Sequence, residues 1–294
     1  MSLVSAAGPE QPPGGQPPGG HQGRQAGGPP GSRRAAVQVV AHRGSSVDAP
    51  EHTWHAYKRA LADGADALEC DVRLTKDGHL VCVHDRRIDR TSNGRGILST
   101  LELAELAELD WGSWQDSWED LEDPEIPDRD RAQILTLRRL LEAVADLDRP
   151  VEVAIETKHP TRYAGLVERR LVALLDEFGW AGTRSPVRVM SFSHLSLRRL
   201  RSLAPDLRSV LLFERVPLRF RDGSLPEGVA IAGPSIEIVR AHPRYVERCR
   251  RHGHPVHVWT VDDPADIDLC LELGVEAIIT NRPGRVLESL HQAG

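Results

Sequence analysis

Short apolar runs recur along the chain from residue 37 to residue 280, and segments with helical periodicity separate most of them. Eight runs of four to six residues, rich in Val, Ile and Leu, are predicted strands. They are Val37–Ala41, Ala67–Val72, Val151–Glu156, Val187–Ser191, Ser209–Phe213, Val229–Ala232, Val256–Thr260 and Ala277–Thr280. The predicted helices include Pro50–Ala62, Tyr163–Phe178, Leu195–Leu203, Pro243–His252 and Pro264–Leu273. Regular alternation of strands and helices predicts an α/β fold, a closed parallel (β/α)8 TIM barrel.

An open doubly wound sheet is the alternative arrangement for such an alternation. A dinucleotide-binding sheet of that type carries a G-x-G-x-x-G turn after its first strand. The segment after the first predicted strand is instead His42-Arg43-Gly44-Ser45. The sequence therefore favours the barrel.

The second predicted strand continues into a hairpin and then into an insertion. Asp77-Gly78 separates this strand from the apolar run Leu80–Val83, and Asp-Gly between two strands is a strong hairpin signal. The irregular residues from about 86 to 131 follow, and we predict that they lie over the mouth of the barrel. Their three tryptophans either form a small core, which we favour, or face substrate or lipid; they are Trp111, Trp114 and Trp118.

Residues 1–35 differ in composition from the rest of the chain, because they are rich in Gly, Pro and Gln. Such a segment buries too little apolar surface to offset its ordering entropy, so we predict a disordered tail before a barrel domain over residues 36–294. The net charge of −6 argues against a nucleic-acid-binding protein. Four isolated cysteines, the absence of a 20-residue apolar stretch and the absence of a signal-peptide pattern together predict a cytoplasmic protein.

Acidic residues interrupt two of the predicted strands near their carboxyl ends, where a barrel carries its active site. Side chains alternate along a strand, so Glu69 and Asp71 share one face, and Glu156 points to the barrel axis from the next parallel strand. Three carboxylates at one rim repel one another unless a cation or protons lie between them. An all-oxygen set of this kind suits a hard divalent cation, Mg²⁺ or Ca²⁺.

Basic and aromatic side chains are predicted at the same rim. His42 and Arg43 end the first strand, and the hairpin brings His84 back towards the carboxylates. Alternation along their strands turns the side chains of Lys158 and Trp259 towards the barrel axis. Arginine binds phosphate through two hydrogen bonds and lysine adds a point charge, so Arg43, Lys158 and Trp259 are the candidate substrate-binding residues.

The order and spacing of these pieces resemble the glycerophosphodiester phosphodiesterase family over about residues 37–290. The pieces that carry the resemblance are Ala41–Gly44, Ala49–Thr53, Glu69–Val72, Lys76–Gly78, His84–Asp85, Arg90–Gly94, Ile155–Lys158, Ser191–Phe192, Trp259–Val261 and Gly274–Pro283. Two departures from the usual pattern are His52, where the family has Asn, and Asn281, where it has Asp. Both bear on substrate preference and fine positioning rather than on the reaction class.

The resemblance implies metal-dependent hydrolysis of glycerophosphodiesters to glycerol 3-phosphate and an alcohol. It also implies that His42 and His84 act as general acid and base. Two alternatives stay open: a related barrel phospholipase that acts on lysophospholipids or sphingolipids, and a catalytically silent barrel that binds phosphodiesters. The partner in each case is a small molecule or a lipid, and the sequence does not indicate an oligomeric state.

Overall fold

The computed structural model describes residues 37–115, 128–159 and 165–292. Eight parallel strands form the barrel, and β3 pairs with β2 antiparallel outside it. The strands are β1 (Gln38–His42), β2 (Ala67–Leu74), β3 (Leu80–Cys82), β4 (Glu152–Thr157), β5 (Val187–Ser191), β6 (Arg208–Phe213), β7 (Ile231–Pro234), β8 (His257–Val258) and β9 (Ala277–Thr280). Around the barrel their order is β7-β6-β5-β4-β2-β1-β9-β8. Two parallel bridges, Ala232–Val256 and Ser235–Trp259, connect β7 to β8, so the predicted barrel is confirmed as a nearly closed one.

Helices follow most of the strands and surround the barrel. They are α1 (Trp54–Asp63), α2 (Leu103–Ala107), α3 (Asp128–Ala132), α4 (Leu137–Ala145), α5 (Leu166–Glu177), α6 (His194–Leu203), α7 (Ile236–Ala241), α8 (Arg244–Arg251), α9 (Pro264–Leu273) and α10 (Pro283–Gln292). The first helix begins four residues later than Pro50, where we predicted its start. Thr53 caps it by accepting a hydrogen bond from the Ala56 amide, which leaves residues 50–53 free to shape the site.

Strand alternation divides the buried side chains into an inner and an outer layer. On β4, Val153 and Ile155 belong to the outer core between strands and helices, whereas Ala154 belongs to the inner core with Val40 and Met190. The alternation predicted for this strand is therefore confirmed. The same parity places the side chains two residues further along β2 and β4 at the mouth of the barrel.

The strand β7 begins and ends two residues later than its predicted range, Val229–Ala232. A strand prediction tends to stop before Gly233-Pro234, because proline has no amide hydrogen to donate. Pro234 nevertheless pairs through its carbonyl, which accepts from the Trp259 amide at 3.3 Å. Gly233 fits here because a Cβ atom would lie 2.7 Å from Leu212 Cδ2.

The hairpin is confirmed, since β2 and β3 pair antiparallel across Thr75–Gly78. The described part of the insertion has its own core, in which Trp111 is 5% exposed, as we favoured. Trp114 is exposed instead, and its indole N–H donates to the Trp111 carbonyl. Gln115 donates to two carbonyls of the β1–α1 loop, which ties the described part of the insertion to the loop that follows β1.

Three predicted features lie outside the described residues. They are the Gly- and Pro-rich tail over residues 1–35, the part of the insertion over residues 116–127 that includes Trp118, and the start of the helix predicted from Tyr163. Among the helices that the structure describes, none is long and apolar enough to cross a membrane.

Candidate active site

Three buried carboxylates form the centre of the site. Glu69 and Asp71 project from β2, and Glu156 lies opposite Asp71 in the register between β2 and β4. One oxygen from each carboxylate lies within 4.8 Å of the others. Burial and the charge of Asp71 raise the pKa of Glu69 well above its usual range and that of Glu156 to about 8. The cluster therefore requires protons or a cation to balance its charge.

The donor set fits a hard divalent cation. All three donors are carboxylates, as Mg²⁺ and Ca²⁺ prefer, and they converge on one point at the carboxyl end of the barrel. Asp71 Oδ1 is buried and accepts no hydrogen bond, although Lys158 Nζ lies 3.2 Å away. An oxygen with an unused lone pair inside a carboxylate cluster is suited to bind a metal ion.

Basic side chains from neighbouring segments surround Asp71. Arg43 Nε lies 3.0 Å from Asp71 Oδ2, and Lys158 Nζ lies 2.8 Å from Glu156 Oε1. Although burial alone would raise the pKa of Asp71, Lys158, His52 and Arg43 hold it well below its usual range. The basic partners of Asp71 thus come from the residue that follows β4 and from the β1–α1 loop.

The β1–α1 loop turns sharply, and this turn places Arg43. The backbone of Arg43 is left-handed, with φ 59°, and its amide donates to the carboxylate of Glu69 at 3.1 Å. Gly44 follows with φ 90°, and a Cβ atom there would lie 2.6 Å from the Ala56 carbonyl carbon. Only glycine permits so close an approach of the loop to α1.

Asn281 fixes the orientation of His42. The Asn281 side-chain amide donates to Asp262 at 2.6 Å, so its oxygen faces His42 Nδ1 at 2.7 Å and accepts the Nδ1 proton. His42 Nε2 is then left without a proton, 4.0 Å from Glu69 Oε2. Burial, and then the charge of Arg43, lower the pKa of His42 to about 4, so the ring is neutral at neutral pH.

His84 follows the hairpin and lines the same cavity as His42. Its Nδ1 lies 2.6 Å from Asp85 Oδ1, and Asp85 also pairs with Arg90. Burial lowers the pKa of His84, while the carboxylates of Asp71 and Asp85 favour its protonated form. Arg73 donates two hydrogen bonds to the His84 carbonyl, which fixes the backbone that carries the ring.

His52 contacts a candidate metal ligand, which the sequence analysis did not anticipate. Its Nε2 lies 3.0 Å from Asp71 Oδ2 and its Nδ1 lies 2.9 Å from the Tyr57 hydroxyl. Tyr57 in turn donates to the Glu69 carbonyl at 3.0 Å. This departure from the family pattern thus orients the carboxylate of Asp71. The signal in the sequence was the position of His52 inside the family motif Ala49–Thr53, directly after Pro50-Glu51.

An open cavity of about 310 Å³ lies in front of the cluster. All eight predicted site residues meet here; seven line the cavity and Asp71 lies in the cluster behind it. Trp259 forms one wall, with Phe192 packed edge-on against it at 5.3 Å between ring centroids. Phe192 was a motif residue to which we gave no role, and it lies 5.9 Å from Lys158 Nζ.

Glu51 is a further residue of the site that sequence reasoning missed. One of its oxygens accepts from Arg43, and both accept from Arg90. The hydrogen bonds from Arg90, and then the charge of Arg43, lower the pKa of Glu51 to about 2 in spite of its burial. Glu51 therefore links the insertion to the loop that carries the phosphate-binding candidate Arg43.

Comparison with known proteins identifies close relatives. The family described as Glycerophosphoryl diester phosphodiesterase matches residues 42–285. The Mycobacterium tuberculosis protein named "Probable glycerophosphodiester phosphodiesterase 1" is 48% identical over 84% of this chain and 90% of its own length. "Glycerophosphodiester phosphodiesterase" of Caldanaerobacter subterraneus is 34% identical over 87% of this chain and 98% of its own length.

Solved structures of phosphodiesterases share the fold. A glycerophosphodiester phosphodiesterase from Agrobacterium tumefaciens has 28% identity and a TM-score of 0.69, over 88% of this chain and all of its own. An Oleispira antarctica phosphodiesterase in complex with sn-glycerol-3-phosphate has 25% identity and a TM-score of 0.71, over 86% of this chain and 96% of its own. The chain therefore belongs to the glycerophosphoryl diester phosphodiesterase family, and it is a phosphodiesterase, as its motifs imply.

Proposed function

We propose that the protein hydrolyses glycerophosphodiesters to glycerol 3-phosphate and an alcohol, and that the reaction depends on a divalent cation. The observation that carries this proposal is the convergence of three buried carboxylates with two cationic side chains and two histidines at one cavity. The sn-glycerol-3-phosphate bound to the Oleispira relative supports the identity of the product.

Glu69, Asp71 and Glu156 would hold the cation, Mg²⁺ or Ca²⁺, through oxygen atoms. When bound, the cation supplies Lewis-acid polarisation of a phosphate oxygen. The protein contributes the rigidity of this arrangement, because His52, Arg43 and Lys158 fix the carboxylate of Asp71. A fixed set of ligands loses little entropy when the cation binds.

Arg43 and Lys158 bind the phosphate and offset its charge. The Arg43 side chain is 17% exposed and the Lys158 side chain is 11% exposed, so each presents a largely desolvated cation to the cavity. Electrostatic attraction for an anion is stronger there than in water. Trp259, with Phe192 and Ile279, provides an apolar wall against which the glycerol carbons can pack.

His42 is proposed as the general base and His84 as the general acid. The unprotonated Nε2 of His42 can accept a proton from the attacking water. His84 can hold a proton on the ring nitrogen opposite Asp85 and donate it to the leaving alcohol oxygen. The low pKa of His42, about 4, keeps the base unprotonated at neutral pH.

Hydrolysis of glycerophosphocholine by purified protein, with and without excess chelator, tests the proposal. We expect glycerol 3-phosphate and choline with added Mg²⁺ or Ca²⁺, and loss of turnover in the chelator. Cleavage of lysophospholipids alone would favour the phospholipase alternative, and phosphodiester binding without any cleavage would favour the silent barrel. Full activity in the chelator would contradict the metal dependence.

Metal affinity should increase with pH. Burial raises the pKa of Glu156 to about 8, so the cation-free cluster holds a proton at neutral pH, and burial raises the pKa of Glu69 as well. Each displaced proton should make the affinity rise roughly tenfold per pH unit below those pKa values. Calorimetry in two buffers of different ionisation enthalpy measures the affinity and the released protons together. A pH-independent affinity would contradict this prediction.

The cytoplasmic location is proposed from the cysteines. All four are free and buried; they are Cys70, Cys82, Cys249 and Cys270. Buried thiols without partners are typical of proteins in a reducing compartment. Cell fractionation with a tagged chain tests this proposal.

A further inference from the structure

A second cavity of about 580 Å³ adjoins the active-site cavity, and Glu214 lines both. The loop after β6 contributes Arg215 and Arg221 to its wall, α7 contributes Glu237, and α8 contributes Arg248 and Tyr245. The carboxyl end of β6 faces the mouth of the barrel, so this cavity lies on the same face as the active site, further from the three carboxylates.

Three guanidinium groups without ion pairs lie on the wall of the second cavity. Arg215, Arg221 and Arg248 form no ion pair within the described part of the chain. Arg248 packs over the ring of Tyr245, with its Cζ atom 5.5 Å from the ring centroid. Against these three cations stand the carboxylates of Glu214 and Glu237 on the wall and that of Asp222 close to Tyr245, so guanidinium groups free of ion pairs, and not a net charge, are what the cavity offers an anion.

Two buried polar groups of this cavity lack partners. The Tyr245 side chain is fully buried, and its hydroxyl makes no hydrogen bond, although the Cys249 thiol, a weak partner, lies beside it. Arg248 Nε is also buried without a partner. Buried polar groups of folded proteins are nearly always paired, so this pair of donors points to a ligand that accepts hydrogen bonds.

The wall of the cavity is held in place by a close backbone contact. Gly223 has φ 94°, and a Cβ atom there would lie 2.3 Å from the Arg248 carbonyl carbon. A 3₁₀ turn over Leu218–Phe220 precedes it, and the Gly223 amide donates to the Phe220 carbonyl. The loop that carries Arg215 and Arg221 is therefore anchored on the helix that carries Arg248.

We propose that the second cavity is a subsite for an anionic group, phosphate or carboxylate, on the alcohol half of the diester. The inference rests on the proposed function and names the substrate class of that same site. Guanidinium groups bind both anions through paired hydrogen bonds, and the Tyr245 hydroxyl adds a donor. Glu214, between the cavities, suits a substrate whose linker between the two anions is neutral or cationic.

Matched substrates test the subsite. Glycerophosphoserine differs from glycerophosphoethanolamine by one carboxylate, and glycerophosphoglycerol phosphate differs from glycerophosphoglycerol by one phosphate. We expect the protein to hydrolyse at least one anionic member with kcat/KM about tenfold above that of its parent, the scale of a charge-assisted contact. A preference in the first pair alone assigns carboxylate, and a preference in the second alone assigns phosphate.

Arg248→Gln and Tyr245→Phe should abolish the preference while turnover of glycerophosphoethanolamine stays unchanged. Arg219→Gln is the matched control, because Arg219 belongs to the same loop but its Cζ atom lies over the Phe220 ring at 4.6 Å and it does not line the cavity. This control should retain the preference. Equal loss in Arg219→Gln would assign the effect to general surface charge and overturn the subsite.

A binding measurement keeps the subsite testable apart from catalysis. Calorimetric titration with inorganic phosphate in excess chelator should show a binding equivalent that Arg248→Gln loses and Arg219→Gln keeps, separate from any phosphate held by Arg43 and Lys158. Equal rates for the two members of both substrate pairs would overturn the subsite but not the proposed function. Phosphate binding that is unchanged in Arg248→Gln would do the same. Absence of hydrolysis of every diester overturns the proposed function, and the phosphate titration then decides the subsite by itself.

Discussion

Glu69→Gln should lose divalent-cation binding and nearly all turnover. The substitution keeps the shape of the side chain but removes one of three converging carboxylates, and two ligands hold a hard cation weakly. Loss of the cation removes several kcal/mol of transition-state stabilisation, so we expect turnover to fall by about 10³-fold or more. Calorimetry with Mg²⁺ and Ca²⁺, together with turnover of glycerophosphocholine, measures both effects.

Asp71→Asn should have the same effect on the cation and an additional effect on the fold. Asp71 pairs with Arg43 and Lys158 and contacts His52, and its removal leaves the two cations close together with less negative charge between them. Breaking a buried pair of this kind commonly costs about 3–5 kcal/mol of the free energy of unfolding. A fall in Tm should therefore accompany Asp71→Asn and not Glu69→Gln.

Glu214→Gln is the matched control for metal binding, since Glu214 lines the same cavity but is exposed and lies outside the carboxylate cluster. It should retain the affinity for the cation. Wild-type affinity in Glu69→Gln, with turnover lost, would show that Glu69 acts on the substrate and does not hold the metal.

The inner face of the barrel could be predicted because strand periodicity is local. Glu69, Asp71 and Glu156 lie where alternation along β2 and β4 places them, and the parallel register brings β4 beside β2. The spacing of the motifs was enough to predict the family and the fold. These features depend on neighbours that are two residues apart or in adjacent strands.

Hydrogen bonds between distant segments could not be predicted in the same way. Asn281 lies 239 residues from His42 along the chain, and only barrel closure through β1 and β9 brings them together. His52 reaches Asp71 because its backbone is left-handed, with φ 63°, which a β-carbon normally disfavours. The sequence analysis placed this residue inside the predicted helix Pro50–Ala62, whereas in the structure it lies in the loop before that helix.

His42→Ala and His84→Ala should each lower turnover by about 10²- to 10⁴-fold, the usual contribution of a general base or acid. Both side chains lie at the ends of strands and line an open cavity, so neither substitution should disturb the barrel. The cation affinity should stay close to that of the wild type, because the carboxylate cluster is intact. Single-turnover rates and calorimetry on the same preparations separate the two effects.

His79→Ala is the matched control for the histidines, since His79 lies in the hairpin turn with a side chain that is 55% exposed. It should leave turnover unchanged. Near-normal rates in His42→Ala or His84→Ala would show that another group carries the proton. Loss of cation binding in His42→Ala would instead make His42 a metal ligand, which its position 4.0 Å from Glu69 Oε2 would then explain. A loss of turnover with the cation retained is the result that assigns proton transfer to these two rings.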